Sequence, residues 1–322
     1  MRILLASPVD PGAATRLAAG HDVRRLGSGA DLPGELVRAV ADREVVVLRS
    51  GVVLDAEALA AATRLRLVVR AGSGVDNIDL DSARQNRVRV VRVPGMSAPP
   101  VAEMTFALLL SLARNVTLAD RLVRAGHWPK PELGGPLLRG KVLGIVGAGN
   151  IGSEVGRMAA AWGMRVLGCV ARPSPAAEAR LAGHGIELCD VDEVTARADF
   201  VTLHVPLDDS TFHMVDAAVL ERMRPGSLLV NMARGGVVDE KALYEALVER
   251  STVAGAALDV HESEGEGVVP QLAELPNVVL TPHIGAMALD SQRLIGDRLV
   301  ALIDAFDAGR LDEEVRDGEH VV

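Results

Sequence analysis

Aromatic residues are nearly missing from this chain of 322: four Phe, two Trp and one Tyr make up 2% of it. Its cores must be built from Val, Leu and Ala, and 49% hydrophobic residues is enough for two domains. Cysteine is also scarce. Cys169 and Cys189 lie in unrelated contexts and form no metal-ligand or redox spacing, which points to buried free thiols in a reducing compartment. No apolar run reaches the roughly 18 residues of a transmembrane helix. The start, MRILLASPVD, has too short an apolar run and no cleavage pattern for a secretory signal. Positive charge is not in excess either. The net charge of −9 argues against nucleic acid or an anionic membrane as the main partner. The chain reads as cytoplasmic.

What is present centres on KVLGIVGAGNIG, Lys141 to Gly152. The apolar run Val142–Val146 reads as a buried parallel strand, followed by a helix from Ile151 to Trp162. Gly147, Gly149 and Gly152 fit G-x-G-x-x-G between them. The first glycine allows the tight turn, the second lets a pyrophosphate approach the backbone, and the third lets the helix pack close to the sheet. The helix N-terminus then offers free N–H groups and a partial positive charge to the phosphates. Dinucleotide binding is the expected function of this stretch.

On either side, short apolar runs alternate with amphipathic segments. Before residue 98 the strand candidates are 2–6, 22–26, 44–48, 65–70 and 87–93, with helices such as 33–41 and 55–62 between them. After the glycine loop they are 165–170, 200–204, 227–231, 253–258 and 278–280, with helices at 177–181, 192–196, 217–223 and 240–249. This alternation predicts an α/β fold of two doubly wound lobes with parallel sheets. One long helix, read from Val101 to Gly126, is apolar on most sides over its first half and is expected to be a buried connector. A last amphipathic helix, 290–308, returns to the first lobe in the most economical arrangement, and the charged tail DEEVRDGEHVV reads as a solvated end.

Three further stretches stand just past strand ends, where open α/β sheets bind ligands. Arg234 lies in NMARGGVVD, Asp259 and Glu264 in ALDVHESEG, and His283 in VVLTPHIGA. Each has a plain alternative. Arg234 either grips a carboxylate through two parallel bonds or caps a loop. Glu264 is either functional or part of a solvated acidic run, and His283 is either functional or structural. Taken singly, none decides.

In order, however, the glycine loop, ARGG, LDVxxxE and TPHIGA resemble the D-isomer-specific 2-hydroxyacid dehydrogenase family. RAGSGVDNIDLD at Arg70–Asp81 and VAE at Val101–Glu103 extend the resemblance over nearly the whole chain. It implies two Rossmann-like lobes, a dinucleotide-binding domain (99–288) inserted into a discontinuous flavodoxin-like substrate domain (1–98 plus 289–322), with the active site in the cleft between them. It implies a catalytic trio of Arg234, Glu264 and His283: His283 as acid and base, Glu264 supporting its protonated form, Arg234 holding the substrate and polarising its carbonyl. For the substrate it further implies Ser73 and Gly74, whose N–H groups would form an anion nest, and Arg49, matching an arginine that contacts phosphate. For the cofactor it implies Gly147, Gly149, Asn150, Ile151, Gly152, His204, Val205, Pro206, Ala233, Asp259 and Gly285, with Asp259 receiving the nicotinamide carboxamide. A homodimer through the cofactor domains is implied as well, and no metal.

The chain departs from that pattern in places. The fingerprint calls for an acid about 20 residues past the glycines; Val170 stands there, and no carboxylate occurs between Gly163 and Ala176. Loss of the acid removes repulsion against a 2′-phosphate, and Arg172 and Ser174 offer it partners, which favours NADP(H) over NAD(H). The loop HESEGEGVV has His261 and Gly265 where the family commonly has an aromatic and a proline, leaving Glu262 as a competitor for Glu264 and His261 as a second possible substrate contact. Ser97 replaces a frequent asparagine. The chain ends soon after the returning helix, so a C-terminal regulatory domain is not expected.

The sequence thus predicts an oxidoreductase that moves a hydride between NADP or NAD and a small D-2-hydroxy/2-oxo acid, with a 3-phosphoglycerate-like acid favoured. A glyoxylate/hydroxypyruvate reductase, a non-catalytic dinucleotide-sensing corepressor and an enzyme of other chemistry on the same scaffold are the alternatives.

Overall fold

The computed structural model describes residues 1–27, 32–249 and 252–322. They form two compact units, Met1–Ser97 with Met287–Val322, and Ala98–Ala286.

In the first unit, strands β1 (Arg2–Leu5), β2 (Asp22–Arg25), β3 (Val45–Leu48), β4 (Leu67–Arg70) and β5 (Arg89–Arg92) form a wholly parallel sheet, ordered β2-β1-β3-β4-β5. The helices α1 (Pro11–Gly20), α2 (Leu32–Val40), α3 (Ala56–Ala61) and α4 (Leu80–Gln85) connect successive strands. The central strands β3 and β4 are buried at every position, as strands covered on both faces must be. The strand order reverses between β1 and β3, and that is where such sheets bind ligands.

The second unit opens with α5 (Ala98–Ala113) and α6 (Val116–Arg124). The single connector helix expected from the sequence is broken here: Asn115 takes a left-handed φ of 54°, and the two helices are bent by 61°. α5 buries ten residues, while α6 buries none. Among the described residues no single helix is long and apolar enough to cross a membrane. Next come β6 (Val142–Val146), α7 (Asn150–Ala161), β7 (Arg165–Cys169), α8 (Pro175–Gly183), β8 (Ile186–Leu188), α9 (Val191–Arg197), β9 (Phe200–Leu203), α10 (Ala217–Arg222), β10 (Ser227–Asn231), α11 (Glu240–Glu249), β11 (Val253–Leu258) and β12 (Val278–Leu280). The seven strands are ordered β12-β11-β10-β9-β6-β7-β8 and all run parallel, so this is a doubly wound sheet whose order reverses between β6 and β9. Aliphatic cores cover both faces, and Phe106 and Phe200 are their buried aromatic members among the described residues. Cys169 is half-buried, Cys189 is buried, and both are free thiols.

Aspartate N-caps punctuate both units. Asp10, Asp55, Asp79, Asp190 and Asp216 each accept a backbone N–H three residues on, and Asp239 does the same at α11. Each such cap is worth about 1 kcal/mol.

The chain then returns to the first unit through α12 (Leu289–Asp307) and α13 (Leu311–Glu314). Ile295, Leu299, Leu302 and Ile303 of α12 pack into the core beneath β1, β3 and β4. The tail is not the solvated end its charge suggests. Glu319 is buried against Arg298, bonded at 2.8 and 2.6 Å, and His320 bridges antiparallel to Val91 at the edge of the sheet.

Candidate active site

The glycine loop lies at the reversal point of the second unit's sheet. Gly147 has φ 95°, and a Cβ there would come within 2.8 Å of the His204 carbonyl at the end of β9. A Cβ on Gly152 would overlap the Gly147 carbonyl, so the helix can approach the turn only without one. At Gly149 a Cβ would meet nothing within 4 Å: the loop is open on the side where a pyrophosphate approaches. α7 starts at Asn150 and Ile151 with no side chain capping it, so its first N–H groups remain available to an anion. These features fit a bound dinucleotide.

Around this loop, burial drives the His204 imidazole down to about 3, so it is neutral at physiological pH; its Nε2 pairs with Thr202 Oγ1 at 3.0 Å. Val205 is half-buried and Pro206 exposed beyond it, and Ala233 is buried with its N–H on Asn231 Oδ1 at 3.0 Å. Arg172 is exposed, and Ser174 Oγ caps α8 by accepting the Ala177 N–H at 3.2 Å. Arg180 is a residue the sequence reading missed. From α8 it donates to Ser153 Oγ at 2.6 Å and to the Ala148 carbonyl at 2.9 Å, placing a cation directly on the glycine loop. Nothing in its local sequence marks it, because the contact joins two helices.

Glu264 and His283 are brought together. The carboxylate accepts from His283 Nδ1 at 2.9 and 3.1 Å, and its Oε1 also takes the His261 N–H at 3.2 Å. Burial pushes the Glu264 carboxyl up, but the hydrogen bond and charge of His283, helped by His261, pull it further down, to a net value below the ordinary one. An ionised carboxylate only accepts, so Nδ1 carries a proton and Nε2 faces outward, with no partner among the described residues. The histidine sits in a turn at φ 55°, a conformation that needs support. Asp259 gives it: its backbone oxygen accepts the His283 N–H at 2.7 Å, and its buried carboxylate accepts Thr281 Oγ1, the Ile284 N–H and the Gly285 N–H at 2.6 to 2.9 Å.

Glu262, the competitor for Glu264, turns away. Its Oε1 accepts from His213 Nε2 at 2.9 Å and from the Glu240 N–H at 3.2 Å. His261 directs its ring to the Thr281 carbonyl at 3.0 Å. Arg234 is half-buried in the turn after β10, donating to the Ala233 carbonyl at 2.8 Å, while Asn231 Nδ2 holds its own carbonyl at 2.9 Å. That turn lies on the glutamate loop, since a Cβ on Gly235 would overlap the His261 carbonyl.

In the first unit, at its own reversal point, the Arg49 N–H donates to Ser7 Oγ at 3.0 Å and Asn77 holds the Arg49 carbonyl at 2.8 Å. Burial lowers the Arg49 guanidinium below its ordinary value, and among the described residues it has no partner. Ser73 Oγ pairs with buried Ser97 at 2.9 Å, and the N–H groups of Ser73 and Gly74 have no acceptor among the described residues.

Residues 106–285 match the model of the D-isomer-specific 2-hydroxyacid dehydrogenase NAD-binding domain. Hydroxypyruvate reductase of Thermotoga maritima is 40% identical over 272 residues, 84% of this chain and 86% of that one. D-3-phosphoglycerate dehydrogenase of Methanocaldococcus jannaschii is 40% identical over 283 residues, 87% of this chain but 53% of that one, so the chain spans about half of its length. D-lactate dehydrogenase of Aquifex aeolicus, solved with NAD and lactic acid, superposes with a TM-score of 0.86 at 28% identity, over 100% of this chain and 99% of that one. With the fingerprint loop, the parallel sheets and these similarities in agreement, the chain belongs to the D-isomer-specific 2-hydroxyacid dehydrogenase family.

Proposed function

We propose that this chain reduces a small 2-oxo acid to the D-2-hydroxy acid, and that Arg234, Glu264 and His283 carry the reaction. The observation that supports this most directly is the Glu264–His283 pair, with Nδ1 held and Nε2 outward. Gly147, Gly149, Asn150, Ile151, Gly152, His204, Val205, Pro206, Ala233, Asp259 and Gly285 would hold a nicotinamide dinucleotide, which would supply the hydride. His283 Nε2 gives a proton to the carbonyl oxygen as C2 is reduced, and takes it back in the reverse direction. Glu264 stabilises the charged imidazole that donates it. Arg234 binds the carboxylate and polarises the carbonyl. Asp259 keeps the His283 turn in place, and its Oδ2, with the Gly285 N–H on it, retains capacity for a carboxamide N–H.

For the substrate, the partnerless, half-buried Arg49 and the vacant N–H groups of Ser73 and Gly74 favour an acid with a second anionic group, such as a 3-phosphoglycerate-like one. The Thermotoga maritima relative, matched over most of its length, favours hydroxypyruvate as the second reading. NADP(H) is favoured over NAD(H), since no acid stands between β7 and α8, where Arg172 is exposed, and Arg180 bonds the glycine loop. The described residues from 114 to 137 include α6 and bury none of their side chains, with Val116, Val123, Trp128 and Leu137 at least half exposed. Such a segment is stable when a partner covers it, and we assign it to a homodimer of cofactor domains. The free thiols favour a reducing, cytoplasmic compartment.

Purified protein should be mixed with NADH or NADPH and each of glyoxylate, hydroxypyruvate, phosphohydroxypyruvate and branched 2-oxo acids. Oxidation with one acid supports the reading. Binding of both cofactors with no acid reduced would replace it with the sensing alternative.

A further inference from the structure

The loop that presents Glu264 has almost nothing of its own to hold it. Residues 262–269 are all exposed, Gly265 and Gly267 have φ of 147° and 81°, and Val268 and Val269 are uncovered. Ordering backbone of this kind costs about 1–2 kcal/mol per residue. No apolar anchor offsets that cost, and the contacts that do are polar and come from other segments.

Two of them converge on Glu262. His213 Nε2 donates to its carboxylate at 2.9 Å, and the N–H of Glu240, at the start of α11, donates to the same oxygen at 3.2 Å. In return, the Glu262 N–H donates to Glu240 Oε1 at 2.8 Å. The His213 ring is fixed in turn, stacked on Phe212 at 4.0 Å with its Nδ1 3.9 Å from Asp239. His213 stands at φ 49°, which glycine adopts freely and a side chain does not. An imidazole is therefore carried at a backbone position that favours having none. His213, Asp239 and Glu262 lie close enough to suggest a cation site, but the two carboxylates address opposite nitrogens of one ring, which suits a hydrogen-bonded latch.

We infer that His213 and Glu262 are positioning residues, a latch that pins the loop to the start of α11 and so keeps Glu264 on His283. This rests on the reading of Glu264 and His283 as the reacting pair. The loop leaves the latch at Glu262 and reaches His283 two residues later, at Glu264. Arg234's turn packs on the same backbone at His261, so the latch, the turn and the pair share one segment.

The test compares the wild-type protein with His213→Gly, Glu262→Ala and Glu262→Gln, by amide hydrogen exchange over residues 261–270 and by steady-state kinetics. His213→Gly suits the backbone, so its melting temperature should not fall. Exchange in the loop should rise, and kcat should drop, by about tenfold in His213→Gly and Glu262→Ala, as expected for the loss of one hydrogen bond to a charged group. KM and the cofactor Kd should stay unchanged. Glu262→Gln keeps an acceptor oxygen and should recover most of both. Wild-type exchange in His213→Gly, or faster exchange with an unchanged kcat, overturns the inference. Exchange needs no turnover, so a wild-type protein that reduces no acid contradicts the proposed function while the latch is still decided.

Discussion

The Glu264 carboxylate meets His283 at Nδ1, at 2.9 and 3.1 Å, and so leaves Nε2 as the ring nitrogen without a partner among the described residues. Against the push of burial, the hydrogen bond and charge of His283 hold the Glu264 carboxyl below its ordinary value, so it is ionised at neutral pH. Glu264→Gln, which keeps a hydrogen-bond partner but no charge, should lower kcat about 10²-fold while leaving cofactor affinity intact. Steady-state kinetics and a cofactor titration on the same preparation check this.

A second prediction concerns Gly235. A Cβ there would overlap the His261 carbonyl, so Gly235→Ala must push the ARGG turn and the glutamate loop apart. The expected cost is about 1–3 kcal/mol in stability, with a fall in kcat beyond what instability explains. Denaturant unfolding beside kinetics at low temperature separates the two effects.

Arg49 governs discrimination among acids if it meets a second anionic group. Arg49→Ala should raise KM for phosphohydroxypyruvate by about 10²-fold, in line with loss of a charge-assisted contact, and leave glyoxylate nearly unaffected. Equal losses on both acids would return Arg49 to a structural role beside Ser7.

Acid sensitivity should trace to the far end of the chain. Burial pushes the Glu319 carboxyl up, but bonds from Arg298 and the Arg316 N–H carry it to a net value below the ordinary one. A depressed carboxylate stabilises the fold above its unfolded value of about 4.3, and that contribution disappears as pH falls through the lower folded value. Stability should therefore be level above about pH 5 and decline below it. Arg298→Ala, which leaves Glu319 buried without its partner, should cost about 3–5 kcal/mol, measured by urea unfolding at neutral pH.

Much of this was legible in the sequence, for physical reasons that differ by element. β11 and β12 begin and end where their apolar runs do, because parallel strands buried on both faces read as near-continuous apolar runs. β8 was missed: three residues with an exposed Glu187 in the middle give no such run. The connector helix was read as continuous because a left-handed Asn115 leaves no mark on helical periodicity. The charged tail was misread because its burial depends on Arg298, some twenty residues away. At the site, motif order marked Glu264 and His283, but that Glu264 pairs with His283 while Glu262 pairs with His213 and Glu240 is visible only in space. The Arg180 contacts and the His213–Glu262 bond are tertiary, made between segments that carry no pattern individually.

The most direct test of the whole account is the loss of reduced-nicotinamide absorbance when wild-type protein and His283→Ala are given cofactor and the best acid of the panel. The wild type should oxidise the cofactor, His283→Ala should lose about 10²–10⁴-fold in kcat, and the cofactor Kd should be the same for both. Turnover by His283→Ala at close to the wild-type rate would contradict it.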